Sequence, residues 1–254
     1  MKIIFLAGKV EGAIWMYNAI KDNFFVDKVI LEEKLSSMKI IKGRIKRLGL
    51  SKVINQLLFQ IIISKFLRHL SKKRIAELKK HYRLITEPIP DEKLLNILSV
   101  NDSECIAAIK KLNPDVIIVI GTRVISSKVL ESTSALFVNF HTGITPQYRG
   151  VHGAYWALVS NDKKNCGATV HKVDKGIDTG EIIKQSNIEI SKQDNFITYP
   201  LHQYGVALDL MRSTLTDIKN NNFKSFKKEN VDSHLYYHPT FSGYLYNRWF
   251  KGVK

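Results

Sequence analysis

Two short runs decide most of what this chain can become. DVIIVI at Asp115–Ile120 and ALFVNF at Ala135–Phe140 are almost unbroken in apolar, β-branched and aromatic residues and stand about twenty residues apart. A strand with one wet face alternates apolar and polar residues, whereas runs like these belong to parallel strands covered on both sides. Parallel neighbours need crossover connections, so the runs predict an α/β chain with an open, doubly wound, mostly parallel sheet. In such sheets ligands bind beyond the carboxyl ends of the strands.

The flanking text agrees with that reading. Lys2–Ala7 is expected as a strand, Ala13–Asp22 as a helix, Phe25–Leu31 as a second strand and Leu84–Thr86 as a short third one. Asp102–Leu112 has a helical pattern that Asn113-Pro114 stops. The turn GKVEG after the first strand is no dinucleotide fingerprint. It still offers the backbone N–H groups of a strand-to-helix turn, at Gly8 and Lys9, to a phosphate. The start MKIIFLAGKVEGA has few apolar residues and no small-residue cleavage pattern, and Val53–Ser64, the longest uncharged apolar stretch in the interior, is short for a membrane span. A cytoplasmic location is expected. Cys105 and Cys166 lie far apart with no CxxC pairing, so neither a disulfide framework nor a thiolate metal site is indicated.

Charge enters the argument because of where it sits. The chain of 254 residues carries a net +16, and thirteen basic residues between Lys42 and Arg83 face Glu77 alone. Leu50, Ile54, Leu57, Leu58, Ile61 and Ile62 recur there at helical spacing, followed by Phe66, Leu67 and Leu70, so 42–83 is expected as a basic helical insert of two or three amphipathic helices. One reading is a packed insert with a solvated lysine face. The other is a docking surface for an anionic partner or membrane leaflet, which would make the protein membrane-peripheral. Nucleic acid is disfavoured, because no aromatic interleaving or recognised module accompanies the charge.

Chemistry concentrates between Asn139 and Gly180. Asn139 and His141 stand at i and i+2 at the end of a buried strand, so both side chains leave the same face of the sheet. An amide and an imidazole converging there can polarise one carbonyl. Asp178 lies in the loop from Gly176 to Gly180, where its carboxylate would orient the imidazole and raise its pKa.

At these residues the sequence resembles the folate-dependent formyltransferases, and most of all their sugar N-formyltransferases. The family pattern is Asn-x-His opening a loop with Pro and Arg-Gly, then Asp in a loop of the type Gly-Ile-Asp-Thr-Gly. Asn139-Phe140-His141, Pro146, Arg149-Gly150 and Gly176-Ile177-Asp178-Thr179-Gly180 match it. The likeness is good over about 100–190 and poor over the basic insert and the C-terminal tail. Gly143-Ile144-Thr145-Pro146 departs from the family's Ser-Leu-Leu-Pro, a difference that bears on the acceptor and not on the trio.

The resemblance implies a Rossmann-like formyltransferase domain over 1–190 that includes the insert, with 191–254 adding a C-terminal helix and an aromatic-rich tail. It implies transfer of a formyl group from 10-formyltetrahydrofolate to an amine, with Asn139 and His141 donating to the developing oxyanion and Asp178 assisting proton transfer, and no metal. By position, Gly121, Thr122, Arg123, Val124 and Ile125 would face the folate from one side, and Val173, Asp174, Lys175, Gly176 and Ile177 from the other. Acceptor binding would fall to Gly8 and Lys9 and to the loop bearing Tyr148, Arg149, Gly150, His152, Tyr155 and Trp156. Family members that act on tRNA carry a larger C-terminal domain, and those that act on glycinamide ribonucleotide need neither insert nor tail. A nucleotide-linked amino sugar for surface polysaccharide, such as lipopolysaccharide O-antigen, therefore fits best. The alternatives are methionyl-tRNA, glycinamide ribonucleotide, a non-catalytic folate- or nucleotide-binding regulator, and a hydrolase that releases formate. A homodimer joined through the C-terminal aromatics would suit the family.

Overall fold

Ile3, Phe5 and Ala7 point to one side of the first strand and Ile4 and Leu6 to the other, and all five are fully buried. A period of two with no polar member is what a central strand needs when helices cover both faces of the sheet. The computed structural model describes residues 1–254. Its strands are β1 (Ile3–Gly8), β2 (Val26–Glu32), β3 (Leu94–Ile97), β4 (Val116–Ile120), β5 (Leu136–His141), β6 (Tyr148–Gly150), β7 (Gly167–Lys172), β8 (Ile182–Asn187) and β9 (His234–Tyr236). Seven of them form one sheet in the order β3-β2-β1-β4-β5-β7-β8, parallel from β3 to β5 and antiparallel at β7 and β8. β6 and β9 pair separately.

The helices are α1 (Glu11–Ile20), α2 (Ser37–Leu48), α3 (Leu50–Leu58), α4 (Ser64–Leu70), α5 (Lys72–His81), α6 (Ser103–Leu112), α7 (Ser127–Leu130), α8 (Gly153–Val159), α9 (Tyr199–Lys219) and α10 (Phe241–Phe250). One layer, built on Trp15 and Met16 of α1 and Leu208 and Met211 of α9, covers Phe5 and Ile118. On the opposite face Cys105 and Ile109 of α6 and Val129 of α7 cover Leu6 and Ile117. α6 ends where Asn113 takes a left-handed φ of 46° ahead of Pro114, as its sequence predicts. Burial pushes both free thiols, Cys105 and Cys166, up to about 12, which leaves them inert packing groups.

Two expectations need correction. Leu84–Thr86 is not a strand. The Asn18 amide donates to the carbonyls of Ile85 within it and of Glu87 just after it, at 3.5 and 2.8 Å, and Pro88 and Pro90 beyond cannot donate to a ladder, so the third strand forms later, at β3. The C-terminal part contributes α9, which lies in the same core as β1 and β4. The apolar stretch that was expected to stop at Ser64 continues as a 21-residue helix, Leu50–Leu70, in which α3 and α4 are joined through a π-helical turn at Phe59–Ile63. It is long and apolar enough to cross a membrane by length and composition, yet its inner residues Val53, Gln56, Phe59 and Leu67 are packed against the protein. The insert thus comprises α2 to α5. A third apolar cluster joins it to α8 and α10 through Phe59, Tyr155, Phe196 and Tyr244.

Candidate active site

The direction of β7 builds the site. Running antiparallel to β5, it sets His171 opposite Asn139 and Thr169 opposite His141, on the sheet face away from α1 and α9. His171 Nδ1 lies 2.6 Å from the Lys172 carbonyl, which only accepts, so Nδ1 carries the proton. Nε2 then accepts from Asn139 Nδ2 at 3.1 Å. By the same reasoning His141 Nε2 donates to the Tyr148 carbonyl at 2.7 Å, and its Nδ1 faces Asp178 Oδ2 at 3.3 Å. Asp178 sits in the β7–β8 loop at a left-handed φ of 52°, an uncommon but tolerated conformation for aspartate. Its Oδ2 also accepts the Gly150 N–H at 2.9 Å, and Oδ1 lies 3.6 Å from His171 Nε2.

Gly150 is required twice over. Its φ is 92°, and a Cβ there would stand 2.3 Å from the Tyr236 carbonyl oxygen. The β6–β9 pairing therefore holds its N–H against Asp178.

Burial pushes the Asp178 carboxyl up, but the neighbouring His141, His171 and Gly150 N–H outweigh it and hold the group at about 2. For His141 burial wins: its imidazole lies below the ordinary value although Asp178 acts the other way. This corrects the expectation that the carboxylate raises it. Asp178 thus stays ionised at neutral pH, and both nitrogens of the His141 ring face acceptors, so burial and the carboxylate pull that imidazole in opposite directions.

A cleft of about 330 Å³ opens over these groups at the carboxyl ends of β4 and β5. Gly121, Thr122, Arg123, Val124 and Ile125 line one wall, and Val173, Asp174, Gly176 and Ile177 the other. Thr122 and Val124 spend no backbone N–H inside the protein, so the first wall offers free donors at the rim. Arg123 contributes only main chain, because its guanidinium turns back to Glu32 at 2.6 Å. Glu32, buried at the end of β2, also accepts the Arg123 and Val100 N–H groups and so fixes that turn. Lys175 does not line the cleft; it pairs with Glu131 at 3.0 Å on the outside.

The expected acceptor residues divide. Gly150 lines the cleft, and Arg149 donates to the Ile177 carbonyl at 3.1 Å, clasping the Asp178 loop. Gly8 packs on the Gly121 carbonyl, and Lys9 pairs with Glu33 outside the cleft. Tyr148 and Tyr155 are core residues, bonded through their hydroxyls to Asp162 and Asn247. Trp156 stacks on Tyr236 and donates to the Tyr237 carbonyl. His152 bonds His238 at 2.9 Å and faces a neighbouring cavity of about 300 Å³ that also touches Trp15 and Tyr204. None of these four faces the main cleft, because β9 and α10 cover the loop that carries them.

Sequence reasoning set His171, two residues from Thr169 on a strand, near the site in a structural or supporting role, and overlooked Glu32 and the C-terminal pocket. His171 had a signal, its i+2 spacing from Thr169, but reading it required knowing that β7 runs antiparallel beside β5. The pocket, of about 270 Å³, shares Gly150, Val151 and Ile177 with the main cleft and is completed by Arg44 and Arg47 of α2 with Tyr236, Tyr237 and His238. Neither arginine has a carboxylate within 4 Å; Arg44 bonds only the Gln56 amide oxygen, at 2.7 Å. Two guanidinium groups without carboxylates, beside aromatic rings, suit an anion attached to a flat group.

Comparison with known proteins agrees with this geometry. A family model described as formyl transferase matches residues 61–200, more than half of the chain. The methionyl-tRNA formyltransferase of Halothermothrix orenii is 32% identical over 128 residues, which is 50% of this chain and 40% of that protein. The chain thus spans about two fifths of that relative's length. Among solved structures, a 4-N formyltransferase from Francisella tularensis superposes with a TM-score of 0.58 at 18% identity, covering 92% of this chain and 76% of the other. An N-formyltransferase from Helicobacter canadensis, in complex with folinic acid and dTDP-3-aminofucose, gives 0.54 at 19%, covering 93% and 71%. At such identities the structures establish the shared fold.

Proposed function

The chain belongs to the formyl transferase family, and from that premise we propose that it is an N-formyltransferase that moves a formyl group from 10-formyltetrahydrofolate to the amino group of a nucleotide-linked amino sugar, for surface polysaccharide such as lipopolysaccharide O-antigen. One observation carries the reading: the cleft that joins Asn139, His141, His171 and Asp178 lies beside the arginine and tyrosine pocket and shares Gly150, Val151 and Ile177 with it. A reaction centre beside a site for an anion and a flat ring suits an acceptor with diphosphate and base.

The folate supplies the formyl group. The walls made by Gly121–Ile125 and by Val173, Asp174, Gly176 and Ile177 suit its flat ring, since they combine free main-chain donors with the exposed side chains of Val124 and Ile177. After bonding His171, Asn139 keeps a second amide hydrogen to polarise the formyl oxygen, the kind of contact whose loss raises a barrier by about 3 kcal/mol. His141 does not supply the second donor expected of it, because its N–H is held by the Tyr148 carbonyl. The Asp178 carboxylate, which lines the cleft, would instead relay the proton: the amine nitrogen adds to the formyl carbon and gives up a proton, the bond from that carbon to N10 breaks, and N10 takes the proton up. His141 lies between that carboxylate and the Tyr148 carbonyl, both of which favour its protonated form, and so holds Asp178 in place for the relay.

The test is formyl transfer read by mass, with 10-formyltetrahydrofolate and a set of nucleotide-linked amino sugars that includes dTDP-3-aminofucose. Methionyl-tRNA and glycinamide ribonucleotide serve as rival acceptors. Formylation of a sugar nucleotide is expected. Exclusive formylation of either rival would overturn the acceptor, and release of formate alone would overturn transfer.

A further inference from the structure

A helix that packs on a soluble protein buries one apolar stripe and shows a polar one to water. The helix Leu50–Leu70 does not. Opposite its packed side it carries a second apolar row, Leu50, Ile54, Leu58, Ile61, Phe66 and Leu70, each between 43% and 63% exposed. α10 packs against the same helix, through the Asn55–Ser242 bond and the Phe59–Tyr244 ring contact, and adds Tyr246, Trp249 and Phe250 at 56%, 71% and 74% exposure. Exposed aromatic and aliphatic groups in such density mark an interaction surface.

The charge around them selects the partner. Lys46, Lys52, Lys65, Arg68, Lys72 and Lys73 have no carboxylate within 4 Å, and the insert holds Glu77 as its single acid. We propose that this face docks onto the surface of a membrane rich in anionic lipid, with the apolar row and the α10 aromatics entering the headgroup boundary and the lysines on the lipid phosphates. The helix lies on the leaflet and does not span it. Its other side is held by Val53, Phe59 and Leu67 in the core and by buried Gln56, which bonds Arg44 and the His238 carbonyl. A second copy is a poor occupant, because a two-fold contact would set the same cluster of basic residues against itself. A nucleic acid leaves the apolar row unburied. The inference stands on this surface alone and does not depend on the acceptor.

The test is co-sedimentation of the full chain with vesicles of phosphatidylcholine, alone or mixed with phosphatidylglycerol. Two surface variants accompany it, Ile54→Ser/Ile61→Ser/Phe66→Ser and Lys52→Gln/Lys65→Gln/Lys72→Gln, with sedimentation equilibrium run without lipid. The expected result is binding to the mixed vesicles only, weakened by salt and reduced about tenfold or more in each variant, with circular dichroism unchanged. Equal recovery with both vesicle types, or unaltered binding by the serine variant, would overturn the proposal. So would a dimer in the absence of lipid that the serine variant dissolves.

Discussion

Asn139 gives one amide hydrogen to His171 Nε2 at 3.1 Å, across an antiparallel register that pairs their backbones. That bond fixes which way the amide points and leaves its other hydrogen for the substrate. Asn139→Ala should lower kcat by about a hundredfold or more, the usual effect of removing a preorganised donor to a developing oxyanion. His171→Ala removes the group that orients the amide and a neighbour of Asp178, while leaving both reacting side chains in place, and a drop of about tenfold is expected, with the KM for folate little altered. Steady-state kinetics on both variants, with circular dichroism to verify folding, separates the two roles; equal losses would show that His171 does more than position Asn139.

Asp178 is held at about 2, below its ordinary value of 3.8. A carboxyl depressed by folding contributes stability that is complete above its unfolded pKa and is lost as pH falls through the folded one. Between pH 4 and pH 2 that contribution, about 2 kcal/mol, should disappear from the wild type. In Asp178→Asn it should be missing at every pH. Urea denaturation across this window tests the point. Turnover of Asp178→Asn should be nearly abolished at neutral pH, where the wild-type carboxylate is ionised and favours the imidazolium.

How much of this could be read beforehand follows from which forces are local. DVIIVI and ALFVNF became neighbouring parallel strands because burial on both faces leaves no other use for such runs. Asn139, His141 and Asp178 met in one cleft because i and i+2 share a sheet face and the Asp loop returns to the same edge. Tyr148, His152, Tyr155 and Trp156 looked like binding residues because aromatic, loop-borne groups often are. They proved to be packing and bonding partners of tail residues about ninety positions later, Tyr236, His238 and Asn247. Nothing local in the loop records that β9 will pair with β6. Helical spacing located the insert but could not show which of its apolar residues the core would leave uncovered.

Gly150→Ala tests the coupling between that tail and the site. The new methyl group would meet the Tyr236 carbonyl oxygen at 2.3 Å on a backbone with φ of 92°. Strain of both kinds should cost about 2 kcal/mol or more, seen as a lower Tm. Displacing the Gly150 N–H from Asp178 should also lower kcat. A variant with wild-type Tm and turnover would show that β6 and β9 are not held together as described.

Acid should weaken the fold through a second pair. His152 and His238 share a ring-to-ring bond of 2.9 Å, and burial lowers them to about 3 and about 4, with His238 acting on His152, and Arg44 on His238, in the same direction. Imidazoles depressed by folding bind protons first in the unfolded chain, so stability is complete above the ordinary value of 6.5 and falls as the pH drops toward 4. Tm measured between pH 7 and pH 4 should decline for the wild type and decline less for His238→Gln, which retains a bonding partner for His152 but cannot titrate. Parallel curves would assign the acid sensitivity elsewhere.

Arg47 offers the most direct view of the acceptor. It lines the pocket beside Gly150 and Ile177, and no carboxylate lies within 4 Å of it. Unlike Arg44 it makes no bond to Gln56, so its removal should leave the helical insert intact. Hydrogen bonds to a charged group are worth about 1.5–3 kcal/mol, and Arg47→Gln should therefore raise the KM for a nucleotide-linked acceptor by about tenfold or more. The KM for the folate should stay put, because no residue of the folate-facing walls touches Arg47's side of the pocket except Ile177. Inorganic pyrophosphate should inhibit the wild type in competition with the acceptor and lose most of that effect in the variant. Unchanged acceptor KM together with unchanged inhibition would mean that the phosphates bind elsewhere, and the cavity that faces His152, Arg68 and Trp15 would then be the next place to look.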